Sequence, residues 1–196
     1  MSRRRSVGQY RAVDLAMFAA MLAIFEFVAV TAARRWFPNE PYTVSVVPAI
    51  VTIVLMRWGG WAAIHAVLGG AVFCRASGAL PGHYIIYCIG NLASMAALWP
   101  IRRLGAEVVR SNAVKSLGVA AAVTLLMQLG RAALAVLLGH SPGAALGFFT
   151  TDVITLLFTL VIIWIVRRLD GMLEEQNHYL LRIHQQEEEE RSKDIA

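Results

Sequence analysis

Glu26, Asn91, Arg131 and Asp152 each lie inside an otherwise apolar stretch of this chain. In lipid, an ionisable side chain is costly unless it faces protein or water, so such residues mark either chemistry or an ion pair that fastens helices. Counted at about 1.5 Å per residue from the outer end of each stretch, Glu26 and Asn91 lie roughly 10 Å deep, Arg131 roughly 12 Å and Asp152 roughly 9 Å. Four segments that place polar groups at one level imply a polar pocket open to the outside. Tyr84 and Tyr87 would line its mouth, and Gln128, one turn below Arg131, would extend it downward. Two carboxylates and one guanidinium suit a zwitterionic or mixed-polarity small molecule better than a bare anion. The competing reading is purely structural: Arg131 pairs with Glu26 or Asp152 to hold helices together, with no ligand involved.

The elements that must position these groups follow from composition. The 196 residues are 58% hydrophobic and 16% charged, with a mean hydropathy of +0.59. A soluble domain has about 45–50% apolar and about 25% charged residues, so the chain is expected to be an all-α integral membrane protein. Apolar windows bounded by charge, proline or glycine occur at 12–33, 43–56, 61–74, 84–101, 116–139 and 146–166, which predicts a six-helix transmembrane bundle. The second and third windows are short. They are read either as tilted spanning helices or as one re-entrant hairpin, and both choices leave the sidedness of the other segments unchanged.

Of the 18 basic residues, 14 fall on one side of this topology, three (Arg34, Arg35 and Arg75) fall on the other, and Arg131 lies within the fifth helix. The positive-inside rule then puts both termini in the cytoplasm, in a multi-pass protein of the cell membrane. The net charge of +5 reflects that topology, and no nucleic-acid partner is expected. The first helix has a basic start like a secretory signal, but its apolar stretch is too long, and it is read as permanent. Cys74 and Cys88 are expected as two buried thiols, although a disulfide between them is geometrically possible.

Residues 34–43, with two prolines and mixed charge, form an external loop, residues 75–83 a second outer loop, and residues 102–115 a basic cytoplasmic one. Residues 1–168 are thus one transmembrane domain and 169–196 a cytoplasmic extension. In the extension Leu169, Leu173, Gln176, Leu180 and Ile183 recur at three- and four-residue steps, which predicts that the sixth helix continues as an amphipathic helix before the glutamates 187–190. His65, mid-helix, is read as a hydrogen-bonded core histidine in preference to a proton carrier. No zinc-ligand spacing and no Walker glycine loop occurs, so no cofactor, metal or catalytic residue is expected and the chain is not read as an enzyme.

Ala16, Ala20 and Ala23 follow a small-xxx-small spacing that lets another helix backbone approach closely in lipid. With the "AMFAAMLA" run, the "NEPYTVSVVPAI" entry into the second helix and the "LMRWGGWAAIHAVLGG" helix–glycine turn–helix passage, residues 11–168 resemble the substrate-binding S component of energy-coupling factor (ECF) vitamin transporters. The resemblance implies a six-helix protein without its own ATP-binding motif that binds a small nutrient with high affinity. It further implies that the alanine patch docks on a transmembrane coupling protein driven by ATPase subunits, with residues 34–43 acting as a lid. The long acidic tail departs from the family pattern. It leaves an alternative open: a membrane sensor or scaffold that signals or dimerises through its C-terminal helix.

Overall fold

The computed structural model describes residues 7–40, 42–169, 171–174 and 176, and every regular element among them is helical. In chain order these are α1 (Val7–Trp36), α2 (Val47–Trp58), α3 (Ala62–Ser77), α4 (Pro81–Gly90), α5 (Leu98–Leu104), α6 (Ala106–Ser111), α7 (Ala113–Leu137), α8 (Pro142–Thr151) and α9 (Val153–Val166). Short 3₁₀ stretches join α2 to α3 at Gly59–Trp61 and α4 to α5 at Asn91–Ala97. Five helical stretches are long and apolar enough to cross a membrane: Val7–Trp36, Val47–Ser77, Pro81–Leu104, Ala113–Leu137 and Pro142–Val166.

The second of these five is folded back on itself. Gly59 takes φ 60° at the end of α2, and a Cβ placed on Gly69 would strike the Val47 side chain at 2.5 Å. Residues that far apart on one straight helix would be separated by about 33 Å, so α2 and α3 form an antiparallel hairpin. Its arms rise about 18 Å and 24 Å, short of the roughly 30 Å hydrocarbon core.

The sequence VPAIVTIVLMRW is apolar on every side, the pattern of a helix that belongs inside a bundle, and all 12 residues of α2 are buried. It packs against α1, α3, α7 and α9. In the most apolar 18 residues of Val47–Ser77, 72% are buried, against 22% in the corresponding windows of Val7–Trp36 and Pro142–Val166. The hairpin is therefore the core, and α1 and the α8–α9 stretch lie at the periphery. α1 turns one narrow stripe inward, Phe18, Leu22, Glu26 and Val30, at strict four-residue spacing.

Three sequence expectations need correction. The 102–115 connection is not a plain loop: it carries the end of α5 and the short helix α6. The fourth and sixth apolar windows are each interrupted, one by the 3₁₀ stretch that opens at Asn91 and the other by a break at Asp152 between α8 and α9. Finally, α9 ends at Val166 and turns follow, with Gly171 at φ 69° and Leu173 buried, so the helix does not run on unbroken through 169–174. The rest of the expected amphipathic helix, with Leu180, Ile183 and the acidic run, lies outside the described residues.

Close backbone approach brings the polar residues together. A Cβ on Gly90 would lie 2.8 Å from the Arg131 amide nitrogen, and one on Gly130 would fall on the Gly90 carbonyl oxygen. The start of the 3₁₀ stretch therefore sits directly against α7 at Arg131. Gly130→Ala is expected to destabilise the protein by about 1–3 kcal/mol, because a backbone atom cannot move aside as a side chain can. Gly118→Ala, where a Cβ meets open space, should be neutral or stabilising by up to about 1 kcal/mol. Unfolding in detergent separates the two, and equal effects would contradict the packing account.

Candidate functional site

Arg131 lies on α7 at 4% exposure and organises the polar layer. Its Nε donates to Asn91 Oδ1 at 2.8 Å and its Nη1 to Asp152 Oδ2 at 2.8 Å. The guanidinium carbon stands 4.7 Å from the Tyr87 ring centroid. Tyr87 in turn stacks on Phe73 at 4.5 Å and meets Phe148 edge-on at 5.8 Å. Asn91 is fixed from its other end, where Nδ2 donates to the Ala66 carbonyl at 3.0 Å. The structure thus joins Tyr87, Asn91, Arg131 and Asp152 from three of the predicted segments.

Both interruptions of the helical ladder fall in this layer. The break at Asp152 exposes the Thr151 carbonyl, which accepts the Thr43 amide at 3.0 Å. Thr43 also donates its hydroxyl to Asp152 Oδ1, and the Thr155 hydroxyl donates to the Thr43 carbonyl at 3.0 Å. The segment leading into α2 therefore supplies the groups that the broken helix lacks. In apolar surroundings freed backbone groups must be satisfied in this way, by neighbouring protein.

Glu26 is brought close to the layer but does another job. Fully buried, it accepts the Val46 amide at 2.7 Å, while Ser45 Oγ accepts the Val47 amide at 3.2 Å. These two side chains take the first orphan donors of α2, and a carboxylate at a helix N-terminus also complements its macrodipole. Glu26 is thus in part a helix cap, not paired directly with Arg131 as the fastening alternative allowed. The Ser45 hydroxyl lies beside the same carboxylate, yet Oε1 forms no hydrogen bond among the described residues. Gln128, 2% exposed, forms none either, and Arg131 Nη2 has no hydrogen-bond partner there.

Tyr84 does not join the layer. It lines an apolar groove with Ala23, Ile24 and Val72, between α1 and α3. Of the alanine patch, Ala16 and Ala20 are exposed and Ala23 is partly buried in that groove. His65 is buried, with Nε2 3.0 Å from the Leu15 carbonyl. Cys74 and Cys88 are free thiols, and Cys88 is only partly buried.

A cavity of about 220 Å³ lies beneath the 36–44 connection, lined among others by Val30, Phe37, Pro38, Glu40, Tyr42, Thr43 and Phe73. None of the five polar residues expected at the pocket wall lines it. It reaches the polar layer through Thr43, which bonds Asp152, and Phe73, which stacks on Tyr87. Sequence reading missed both. Thr43 begins the second window and Phe73 is the last residue but one of the third, so chain continuity with the outer loops was the available signal.

A second polar centre occupies the opposite end of the bundle. Asp14 accepts both Arg57 Nε and Nη2 at 2.9 Å and Trp58 Nε1 at 2.6 Å, while Arg57 Nη1 donates to the carbonyls of Gly171 and Met172. The charge of Asp14 inside the first window was its sequence signal. The stretch Gly139-His140-Ser141-Pro142-Gly143 has the G-x-S-x-G spacing of a hydrolase elbow, which reading the sequence for catalytic motifs overlooked. Here Ser141 caps α8, its side chain accepting the Ala144 amide at 3.2 Å, and no strand precedes it among the described residues.

Comparison with models of protein families, with characterised proteins and with solved structures gives no match. Glu26→Ala is expected to cost about 1–3 kcal/mol, because the Val46 amide loses its acceptor, and Glu26→Gln should recover most of that. Detergent unfolding of the two variants checks the cap. Equal losses would show that the charge, not the acceptor, matters.

Proposed function

We propose that the chain is a membrane-embedded solute-binding subunit of the ECF type, which captures a small water-soluble nutrient from outside for ATP-driven uptake. The observation that carries this reading is a set of polar atoms in and beside the layer with no hydrogen-bond partner among the described residues: Arg131 Nη2, Glu26 Oε1 and the Gln128 amide. A layer built only to fasten helices has no reason to leave donors and acceptors open. Two further features support it. Asn91 and Asp152 both stand at helix interruptions, the arrangement by which transporters present polar groups at membrane depth. The adjoining 220 Å³ cavity, below the roughly 300–1,000 Å³ of drug-sized sites, suits a small solute.

In this reading α1, α2, α3, the α4–α5 stretch, α7 and the α8–α9 stretch are six crossings, with both termini cytoplasmic. The 36–44 connection covers the solute, with Thr43 and Phe73 lining its cavity and Tyr87 backing Phe73 from behind. Ala16 and Ala20, exposed on α1, receive the transmembrane coupling protein, whose ATPase subunits supply the energy. The sensor or scaffold alternative took its motive from an uninterrupted helix after the last crossing. Turns and bends at 167–169 and 171–174 lend no support to that continuation among the described residues.

Mass spectrometry of small molecules co-purified with the detergent-solubilised protein, beside a pull-down for ATPase subunits, tests the proposal. Gln128→Leu removes no protein hydrogen bond, so folding should persist while solute retention falls about tenfold. Unchanged retention would remove Gln128 from the site. Ala20→Leu is expected to abolish association with the coupling protein and leave solute retention intact, and unchanged association would refute the docking role.

A further inference from the structure

At the end of the bundle away from the polar layer, a cavity of about 550 Å³ opens between the α2–α3 turn, α5, α6 and the start of α1. Four arginines line it, Arg11, Arg57, Arg102 and Arg110, and no acidic residue does. Their charges are not equally available. Arg57 is matched by Asp14 at 2.9 Å, and Arg110 caps the Met56 carbonyl at 2.6 Å with Glu107 at 3.9 Å. Arg11 and Arg102 enter no ion pair with a described residue, which leaves about two positive charges facing the space.

The remaining wall is not that of a site for a free anion alone. Buried Trp58 and exposed Trp61 line it, with the Arg11 guanidinium 4.6 Å from the Trp61 ring centroid. Leu55, Met56, Leu98 and Ile101 make an apolar side next to the arginines. The volume corresponds to about 18 waters at roughly 30 Å³ each, far more than one phosphate needs. Trp99 is 65% exposed close by, with Arg103 stacked on it at 5.0 Å. Exposed tryptophan beside arginine is the signature of a membrane–water interface.

We propose that this cavity binds the phosphate of an anionic phospholipid, with Arg11 and Arg102 on the headgroup and the apolar side against the glycerol and first methylenes. The proposal rests on the membrane location of the helices and is independent of the solute reading. A basic recess between membrane helices on the arginine-rich face is where anionic headgroups bind. Arg57 and Arg110, held by Asp14 and the Met56 carbonyl, shape the recess, while Arg11 and Arg102 supply its selectivity.

The test uses the full chain in mild detergent, incubated separately with dioleoylphosphatidylglycerol and dioleoylphosphatidylcholine and read by native mass spectrometry. Phosphatidylglycerol should be retained about tenfold over phosphatidylcholine, and Arg11→Ala with Arg102→Ala should lower its retention about tenfold, to the phosphatidylcholine level. Arg102→Glu, at an exposed position, provides a second variant should the double one fold poorly, and it too should abolish the preference. Arg35→Ala with Arg75→Ala, at the opposite end, should leave retention unchanged. Equal retention of the two lipids, or a preference that survives the Arg102 change, overturns the proposal. So does a melting-temperature rise with glycerol phosphate or pyrophosphate in the absence of phosphatidylglycerol retention, because the occupant would then be a soluble anion.

Discussion

Inside an apolar bundle no polar group can turn to water, so each must find its partner within the protein. That constraint accounts for most of the contacts between distant parts of this chain. The buried helix α2 begins and ends among side chains from other elements, and it is capped by Glu26 at its amide end and by Arg110 at its carbonyl end. The interruption at Asp152 is answered by Thr43, and Asn91 is held by the Ala66 carbonyl. Arg131, the one cation at that depth among the described residues, draws these pieces into a single layer. Against that pairing, the Glu26 Oε1, Arg131 Nη2 and Gln128 groups left open in the layer are what the proposed function rests on.

The layer is also a meeting of broken helices. A continuous helix hides its backbone polarity, whereas the 3₁₀ stretch at Asn91 and the break at Asp152 put carbonyls and amides where side chains can reach them. The near-contact of Gly90 and Gly130 makes this possible by bringing the interruption against Arg131. At the other end Arg57 and Arg110 are paired internally as well, but the arginines that line the cavity outnumber the acids, and Arg11 and Arg102 enter no ion pair with a described residue.

Residue depth was legible in the sequence, and rotation about the helix axis was not. Counting rise placed Asn91, Arg131 and Asp152 at one level, and they do meet. The same count could not tell that Tyr84, three residues before Tyr87, faces the α1–α3 groove instead. Nor could it assign Glu26 to the amide end of α2, because that role depends on where the hairpin packs. Gly90 sits at the Asn91 interruption, but its part there depends on the approach of Gly130 from another helix, and the break at Asp152 is answered by Thr43 from a distant segment, neither of which single-segment patterns reveal. Gly171 and Met172 are held by Arg57, more than 100 residues earlier in the chain, so local periodicity suggested an unbroken helix.

The central claim is that the buried Arg131–Asp152 pair exists to serve a bound solute and not to fasten helices. The most direct measurement replaces both partners at once, Arg131→Met with Asp152→Leu, and reads detergent unfolding together with the co-purified solute. A well-packed apolar pair can substitute for a buried ion pair at little or no cost in stability. The account predicts a folded protein that has lost its solute. A double variant that folds and still carries solute at the wild-type level would contradict it.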